Sequence, residues 1–123
     1  FNKYPKLKEY QNFNIQISKN FNPLDDLKKC NICIYRQTTL VSQAIMNSIK
    51  PYYLVDKNNI NVDSIYFVKN WREKVFSTRD LFTKVEKFTL SQKRFKGLIN
   101  AQILCSKLYT KINFSLVNKL LKI

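Results

Sequence analysis

Residues 31–55 read NICIYRQTTLVSQAIMNSIKPYYLV and carry a strand–helix–strand pattern. The run 31–36 is apolar almost throughout, which is typical of a strand covered on both faces. Apolar residues then recur at helical spacing up to about position 49, with Thr38 or Thr39 as the helix cap. Pro51 ends that helix and begins a second strand-like run at 51–56. This order predicts two parallel strands joined by a helical crossover.

The same alternation extends in both directions along the chain. Upstream, an apolar run at 13–17 predicts a further strand, and Asn22 caps a short helix that begins at Pro23. Downstream, residues 60–72 fit either a short helix or a strand. Residues 74–77 predict a third parallel strand, joined to the second by another right-handed helical crossover and followed by a capped helix. We therefore predict an α/β fold whose parallel sheet has about four short strands.

The C-terminal part of the sequence predicts helices almost to its end. A stripe of Phe95, Leu98, Ile99 and Ile103 is expected to pack on the α/β core. Five basic residues are expected to line the solvent face of these helices: Lys93, Arg94, Lys96, Lys107 and Lys111. We accordingly divide the chain into an α/β unit at 1–89 and basic amphipathic helices at 90–123.

The sequence is strongly basic, with 22 Lys and Arg against 8 Asp and Glu and a net charge of +14. Such an excess suits nucleic acid, an anionic membrane face or an anionic small ligand. The codon usage of an AT-rich genome would also enrich Lys, Asn and Ile. A hydrophobic content of 45% over 123 residues is enough for one core and excludes a disordered tail.

Three cysteines raise the question of metal or redox chemistry. Cys30 and Cys33 have CxxC spacing, but zinc needs about four ligands and the sequence has no His and one other Cys. A redox pair normally opens a helix, whereas Cys33 lies within a predicted strand. We therefore expect buried thiols in a reducing cytoplasm and no metal site.

Three segments share the order and spacing of a known motif set. They are 22–27 (NPLDDL) with 31–34 (NICI), then 38–39 (TT) with 43–51 (QAIMNSIKP), and finally 75–81 (VFSTRDL). Together they resemble the C-terminal domain of B-type glycosyltransferases, over about residues 13–90. Transferases that build capsule, lipopolysaccharide or sialic-acid-containing surface polysaccharide are the most similar subgroup.

The resemblance implies a Rossmann-like domain that binds a nucleotide-sugar donor at the carboxyl ends of its strands. Arg36, Thr38 and Thr39 would bind the donor phosphates, where a helix N-terminus also favours anions. Gln43 stands at the position of the family's Glu and would bind the ribose, and Ser48 stands where the family usually has Gly. The nucleotide-sugar is a substrate, so neither a cofactor nor a metal is implied.

Other interpretations of these residues stay open. The threonines would cap a helix without any ligand, and Arg36 would serve equally as an ion-paired surface residue. The first strands of the family's domain have no counterpart here, so we expect a partial domain. The general base of the family usually comes from an N-terminal acceptor domain, which we expect to be missing, and no catalytic residue is assigned.

Two functions therefore compete at the level of sequence. The first is the nucleotide-sugar-binding portion of a cytoplasmic glycosyltransferase, inactive alone and peripheral at the inner face of the membrane. There Lys93, Arg94, Lys96, Lys107 and Lys111 would contact anionic lipid. The second is a noncatalytic basic module in which the same five residues bind nucleic acid or a membrane. Of the two polyanions, we favour the membrane over nucleic acid.

Overall fold

A computed structural model describes residues 16–109 and 114–121. Its elements in chain order are α1 (Pro23–Leu27), β1 (Ile32–Tyr35), α2 (Leu40–Met46), β2 (Lys50–Leu54), β3 (Glu73–Val75), α3 (Thr78–Leu90), α4 (Leu98–Ser106) and α5 (Phe114–Leu121). Helix α1 begins as the sequence predicts, because the Asn22 side chain accepts a hydrogen bond from the Leu24 N–H at 3.1 Å. Helix α3 begins in the same way, with Ser77 accepting from the Asp80 N–H at 3.1 Å.

The three strands form one parallel sheet in the order β1–β2–β3. Tyr35 lies opposite Tyr53 in the first ladder, and Leu54 lies opposite Val75 in the second. The prediction of an α/β fold with neighbouring parallel strands at these positions is confirmed. The described residues contain three strands rather than about four. The predicted strand at 13–17 lies largely outside them, and Gln16 and Ile17 are not in a strand.

The two connections between strands differ from each other. Helix α2 joins β1 to β2 as predicted, but residues 55–72 form no helix, with turns at 57–58 and 64–67. The prediction of a helical crossover between β2 and β3 is therefore wrong. Asp56 and Asn61 hydrogen-bond to backbone groups of the same segment, which stabilises a loop in place of helical bonds.

The core lies where α2, α4 and the 65–71 segment meet the sheet. It contains Tyr35, Val41, Ile45, Tyr53, Ile65, Val68, Trp71, Ala101 and Cys105. The Trp71 indole N–H donates to the Ile49 carbonyl at 3.0 Å, so its one polar atom is satisfied inside the core. Strand β3 is thereby preceded by a buried anchor that fixes where it enters the sheet.

The predicted C-terminal stripe is wrong for three of its four residues, since only Leu98 packs against the core. Helix α3 ends at Leu90, a turn follows, and α4 begins at Leu98 with a different face toward the core. Phe95, Ile99 and Ile103 are 54%, 74% and 52% exposed. Ala101 and Cys105 are buried instead, with Leu98 packed beside them. The small Ala101 side chain allows close packing on α2, where Gln102 donates to the Ile45 carbonyl at 3.2 Å.

Candidate functional site

An ion pair lies at the carboxyl edge of the sheet, which is formed by the C-terminal ends of its parallel strands. Arg36 follows β1 and Asp56 follows β2, and their side chains meet at 3.0 Å. The Asn58 N–H and the Asn59 side-chain amide also donate to Asp56, and these bonds together with Arg36 lower the pKa of its carboxyl group. Asp56 is therefore ionised at neutral pH and orients the guanidinium. The buried Arg36 Nε has no hydrogen-bond partner in the described residues, whereas the side chain as a whole is 30% exposed.

The segment between β1 and α2 places the two threonines in different roles. Thr38 Oγ1 accepts from the Leu40 N–H at 3.2 Å, which makes Thr38 a structural cap. Thr39 is the N-cap residue of α2 but makes no side-chain cap bond, and it is exposed. The Thr39 hydroxyl is therefore accessible to a ligand at the start of the helix, whereas the Thr38 hydroxyl is engaged.

Gln43 lies one helical turn beyond Thr39 in α2. Residues four apart on a helix are surface neighbours, so both side chains lie on one side of α2. The Gln43 side chain is half-buried and makes no hydrogen bond in the described part of the chain. The predicted residues Arg36, Thr38 and Thr39 thus share the carboxyl edge, and Gln43 lies behind them along the helix.

A cavity of about 480 Å³ opens at this edge and is lined by Arg36, Gln37, Asn59 and Ile60. Only Arg36 among these was singled out by sequence. Gln37 has φ of 51°, and its amide donates to the Ile60 carbonyl at 3.1 Å, which joins the two loops that form the cavity. A left-handed Gln gives no signal in a sequence, since Gly or Asn is the usual residue in that conformation.

Behind the ion pair lies a buried polar cluster that supports the edge. The Tyr35 hydroxyl donates to Asp63 at 2.7 Å, and Arg72 pairs with the same carboxylate at 3.0 Å. The Arg72 and Asp63 side chains are 8% and 10% exposed. Burial, followed by the bond to Asp63, raises the pKa of Tyr35. The hydroxyl of buried Tyr53 has no hydrogen-bond partner among the described residues.

A second, larger cleft lies at the opposite edge of the sheet, where the strands begin, which we call the amino edge. Its volume is about 820 Å³, and its lining includes Lys50, Glu73, Lys87, Lys93, Arg94 and Lys96. Three of the five predicted polyanion contacts are among these residues. They occupy the turn between α3 and α4, so the prediction that all five line one helix face is wrong. Lys107 follows the far end of α4, and Lys111 lies outside the described residues.

The thiols follow the prediction only in part. Cys105 is buried, Cys33 is half-buried, and Cys30 is exposed, donating to the Asp26 carbonyl at 3.3 Å. Within 16–109 and 114–121, no three His, Cys, Asp or Glu side chains are grouped as metal ligands would be. None of the helices described is both long and apolar enough to cross a membrane.

Comparisons with protein-family models, with curated proteins and with solved structures gave no match for this chain. The resemblance to B-type glycosyltransferases therefore rests on the quoted segments alone. The features that bear on function are therefore the cavity at the carboxyl edge and the larger cleft at the opposite edge of the sheet.

Proposed function

We propose that this chain is the nucleotide-sugar-binding portion of a glycosyltransferase of surface polysaccharide biosynthesis. The donor would bind at the carboxyl edge of the sheet. The observation that carries the proposal is the turn from Arg36 to Thr39, which joins a parallel strand to a helix and leaves the Thr39 hydroxyl exposed and without a cap bond. In open parallel sheets, ligands bind at this edge.

The topology supports the proposal. Three parallel strands whose order in the sheet follows their order in the chain have the strand order of one half of a doubly wound nucleotide-binding sheet, although a loop replaces the helix between β2 and β3. The residues with motif resemblance also have consistent positions: the segment 38–39 precedes α2, and 75–81 contains the end of β3 and the start of α3. A Rossmann-like partial domain is therefore the fold that we propose.

Each residue at the edge has a distinct chemical role in the proposal. The Arg36 guanidinium would donate to a donor phosphate, with Asp56 fixing its orientation. The Thr39 hydroxyl and the first turn of α2 would add hydrogen bonds from uncharged donors to the charged phosphate, and a positive partial charge. Gln43, one turn along, would reach the ribose. Thr38 would hold the turn through its bond to Leu40, without touching the ligand.

Calorimetric titration with UDP, GDP, CDP and CMP would test the proposal. We expect one nucleotide to bind in preference to the others, and Thr39→Ala to weaken its binding at least tenfold. A hydrogen bond to a charged group contributes about 1.5–3 kcal/mol, and a tenfold change corresponds to about 1.4 kcal/mol.

Thr83→Ala is the matched control, because Thr83 is an exposed threonine whose hydroxyl bonds to the Arg79 carbonyl within α3. It should leave nucleotide binding unchanged. Arg36→Gln should also weaken binding while retaining a hydrogen-bond donor near Asp56. If no nucleotide binds, or if Thr39→Ala and Arg36→Gln bind like the unmodified chain, these residues are only a cap and an ion pair.

A further inference from the structure

The cleft at the amino edge has a charged floor. Lys50 begins β2 and Glu73 begins β3, and the two side chains pair at 3.2 Å. The Lys50 side chain is only 7% exposed. Its ammonium lies 5.0 Å from the Trp71 ring centroid and 5.5 Å from that of Phe88, so aromatic faces stabilise the buried cation. The Lys50 ammonium is thus held in a fixed position at the base of the cleft without any ligand.

The only glycine of the sequence builds one wall of the cleft. Gly97 has φ of 88°, and a Cβ there would lie 2.8 Å from Asn70 Cβ. This close approach holds the turn between α3 and α4 against the segment that leads into β3. The turn therefore holds Lys93, Arg94 and Lys96 at the rim, and the positive end of α4 begins beside them.

The charge in this cleft is strongly unbalanced. Its lining has five cations and one carboxylate, Glu73, for a net charge of +4. Within the described residues, Lys50 is the one lining cation that has an acidic partner, and Lys87, Lys93, Arg94 and Lys96 have none. Like charges held together on a concave surface raise the local potential and attract anions.

We propose that the amino-edge cleft binds a phosphate-bearing ligand of diphosphate to nucleotide size. Its volume of about 820 Å³ lies within the range of small-molecule sites, about 300–1,000 Å³. Several Lys and one Arg around a depression suit phosphate oxygens, which accept many hydrogen bonds at once. The cleft is separate from the proposed donor site, because the two lie at opposite ends of β2, roughly 13 Å apart at about 3.3 Å per residue.

Inorganic pyrophosphate is the probe for the first experiment. Trp71 is the only tryptophan in the sequence, and its ring lies beside the Lys50 ammonium at the base of the cleft. Its fluorescence therefore reports on ligand binding in the cleft. Calorimetry gives the affinity independently. We expect saturable binding of one pyrophosphate per chain that weakens with added salt. The double variant Lys93→Glu with Lys96→Glu should weaken it at least tenfold.

The matched control is Lys19→Glu with Lys119→Glu, which changes the net charge equally at exposed residues outside the cleft. It should retain binding within about twofold, as expected where charges are well separated and screened. The proposal is overturned if pyrophosphate does not bind saturably, or if both double variants lose binding equally. Loss through Thr39→Ala instead would assign pyrophosphate to the carboxyl edge and would also overturn it.

Vesicles distinguish the two sources of phosphate. Binding to phosphatidylglycerol but not phosphatidylcholine vesicles, abolished by Lys93→Glu with Lys96→Glu and competed by pyrophosphate, would support the cleft with a lipid headgroup as ligand. Pyrophosphate binding without vesicle binding would support a free phosphate compound. Tight binding of a single-stranded RNA that pyrophosphate does not compete would overturn the proposal in favour of an extended nucleic-acid surface.

Discussion

Gly97→Ala tests whether the turn between α3 and α4 is held as the structure shows. A non-glycine residue in the left-handed region costs about 1–2 kcal/mol, and forcing a Cβ to 2.8 Å from Asn70 Cβ adds about 1–3 kcal/mol of overpacking. Alanine also restricts the unfolded chain, which offsets about 0.4–1 kcal/mol. The net loss should be about 1–5 kcal/mol, a large part of the roughly 5–15 kcal/mol that stabilises a domain.

Urea unfolding followed by Trp71 fluorescence measures this loss. A double-mutant cycle with Asn70→Gly separates its two causes, because Asn70→Gly removes the nearest Cβ but leaves the backbone strain at 97. In the Asn70→Gly background, Gly97→Ala should cost less than in the original chain, and the difference should equal the overpacking cost of about 1–3 kcal/mol. Gly97→Ala should also weaken pyrophosphate binding, since it displaces the rim. A Gly97→Ala chain as stable as the original, within about 0.5 kcal/mol, would refute the close approach to Asn70.

Three further predictions concern the core and the buried polar groups. Asp63→Ala leaves the buried Arg72 without its carboxylate and should cost about 3–5 kcal/mol in urea unfolding, whereas Tyr35→Phe removes one hydrogen bond and should cost about 1 kcal/mol; equal losses would contradict the pairing. Because Ile99 and Ile103 are exposed, the double variant Ile99→Ser with Ile103→Ser should change the free energy of unfolding by less than about 1 kcal/mol in the same assay. Ala101 is buried, so Ala101→Leu should cost about 1–3 kcal/mol through overpacking. A larger loss for the serine variant than for Ala101→Leu would mean that the predicted stripe faces the core after all. Burial, followed by the nearby charge of Glu73, raises the pKa of Tyr52 to about 12, and burial also raises the pKa of Tyr35 and of Tyr53. The folded state therefore favours the neutral phenol over the phenolate. The stability that these tyrosines contribute should be complete below pH 10 and should fall as the pH rises from about 10 toward 12. Urea midpoints at pH 9 and 11 measure that fall, and Tyr52→Phe should make it smaller.

The sheet was predictable because its signals are local and strong. The apolar run 31–36, the helical spacing after Thr39 and the proline at 51 each point to one structure, and the three strands lie within two residues of their predicted bounds. Caps behaved equally well, since Asn22 and Ser77 satisfy nearby N–H groups without help from the rest of the fold. Local chemistry is what a single sequence records best.

The C-terminal helices were mispredicted because tertiary packing fixed their phase. Ile99 and Ile103 are the stronger apolar signal, yet Ala101 and Cys105 face the core, because the contact of α4 with α2 turns that side of the helix inward. The helix break between Leu90 and Leu98 was missed for a related reason. The break depends on the contact between Gly97 and Asn70, which lie 27 residues apart in the chain.

The candidate sites divide along the same line. Arg36, Thr38 and Thr39 could be predicted to lie together because they belong to one short segment between a strand and a helix. Gln37 and Asn59, which line the carboxyl-edge cavity, come together only through a loop contact. The amino-edge cleft was partly foreseen as a basic surface, but Lys50 gave no signal within its strand, and its pairing with Glu73 depends on the register of β2 and β3.

The charge balance of the two edges yields a last prediction, which separates the two proposed sites by salt dependence. At the carboxyl edge Arg36 is matched by Asp56, so a bound phosphate meets little net charge and its binding relies on directed hydrogen bonds. At the amino edge five cations face one carboxylate, so binding relies on long-range attraction that salt screens, with a Debye length of about 10 Å at 0.1 M and about 3 Å at 1 M. Nucleotide affinity sensitive to Thr39→Ala should therefore fall only slightly between 0.05 and 0.5 M salt, by roughly threefold or less, while pyrophosphate affinity sensitive to Lys93→Glu with Lys96→Glu should fall at least tenfold. Calorimetry at both salt concentrations measures the two slopes, and equal slopes would mean that both ligands occupy one site.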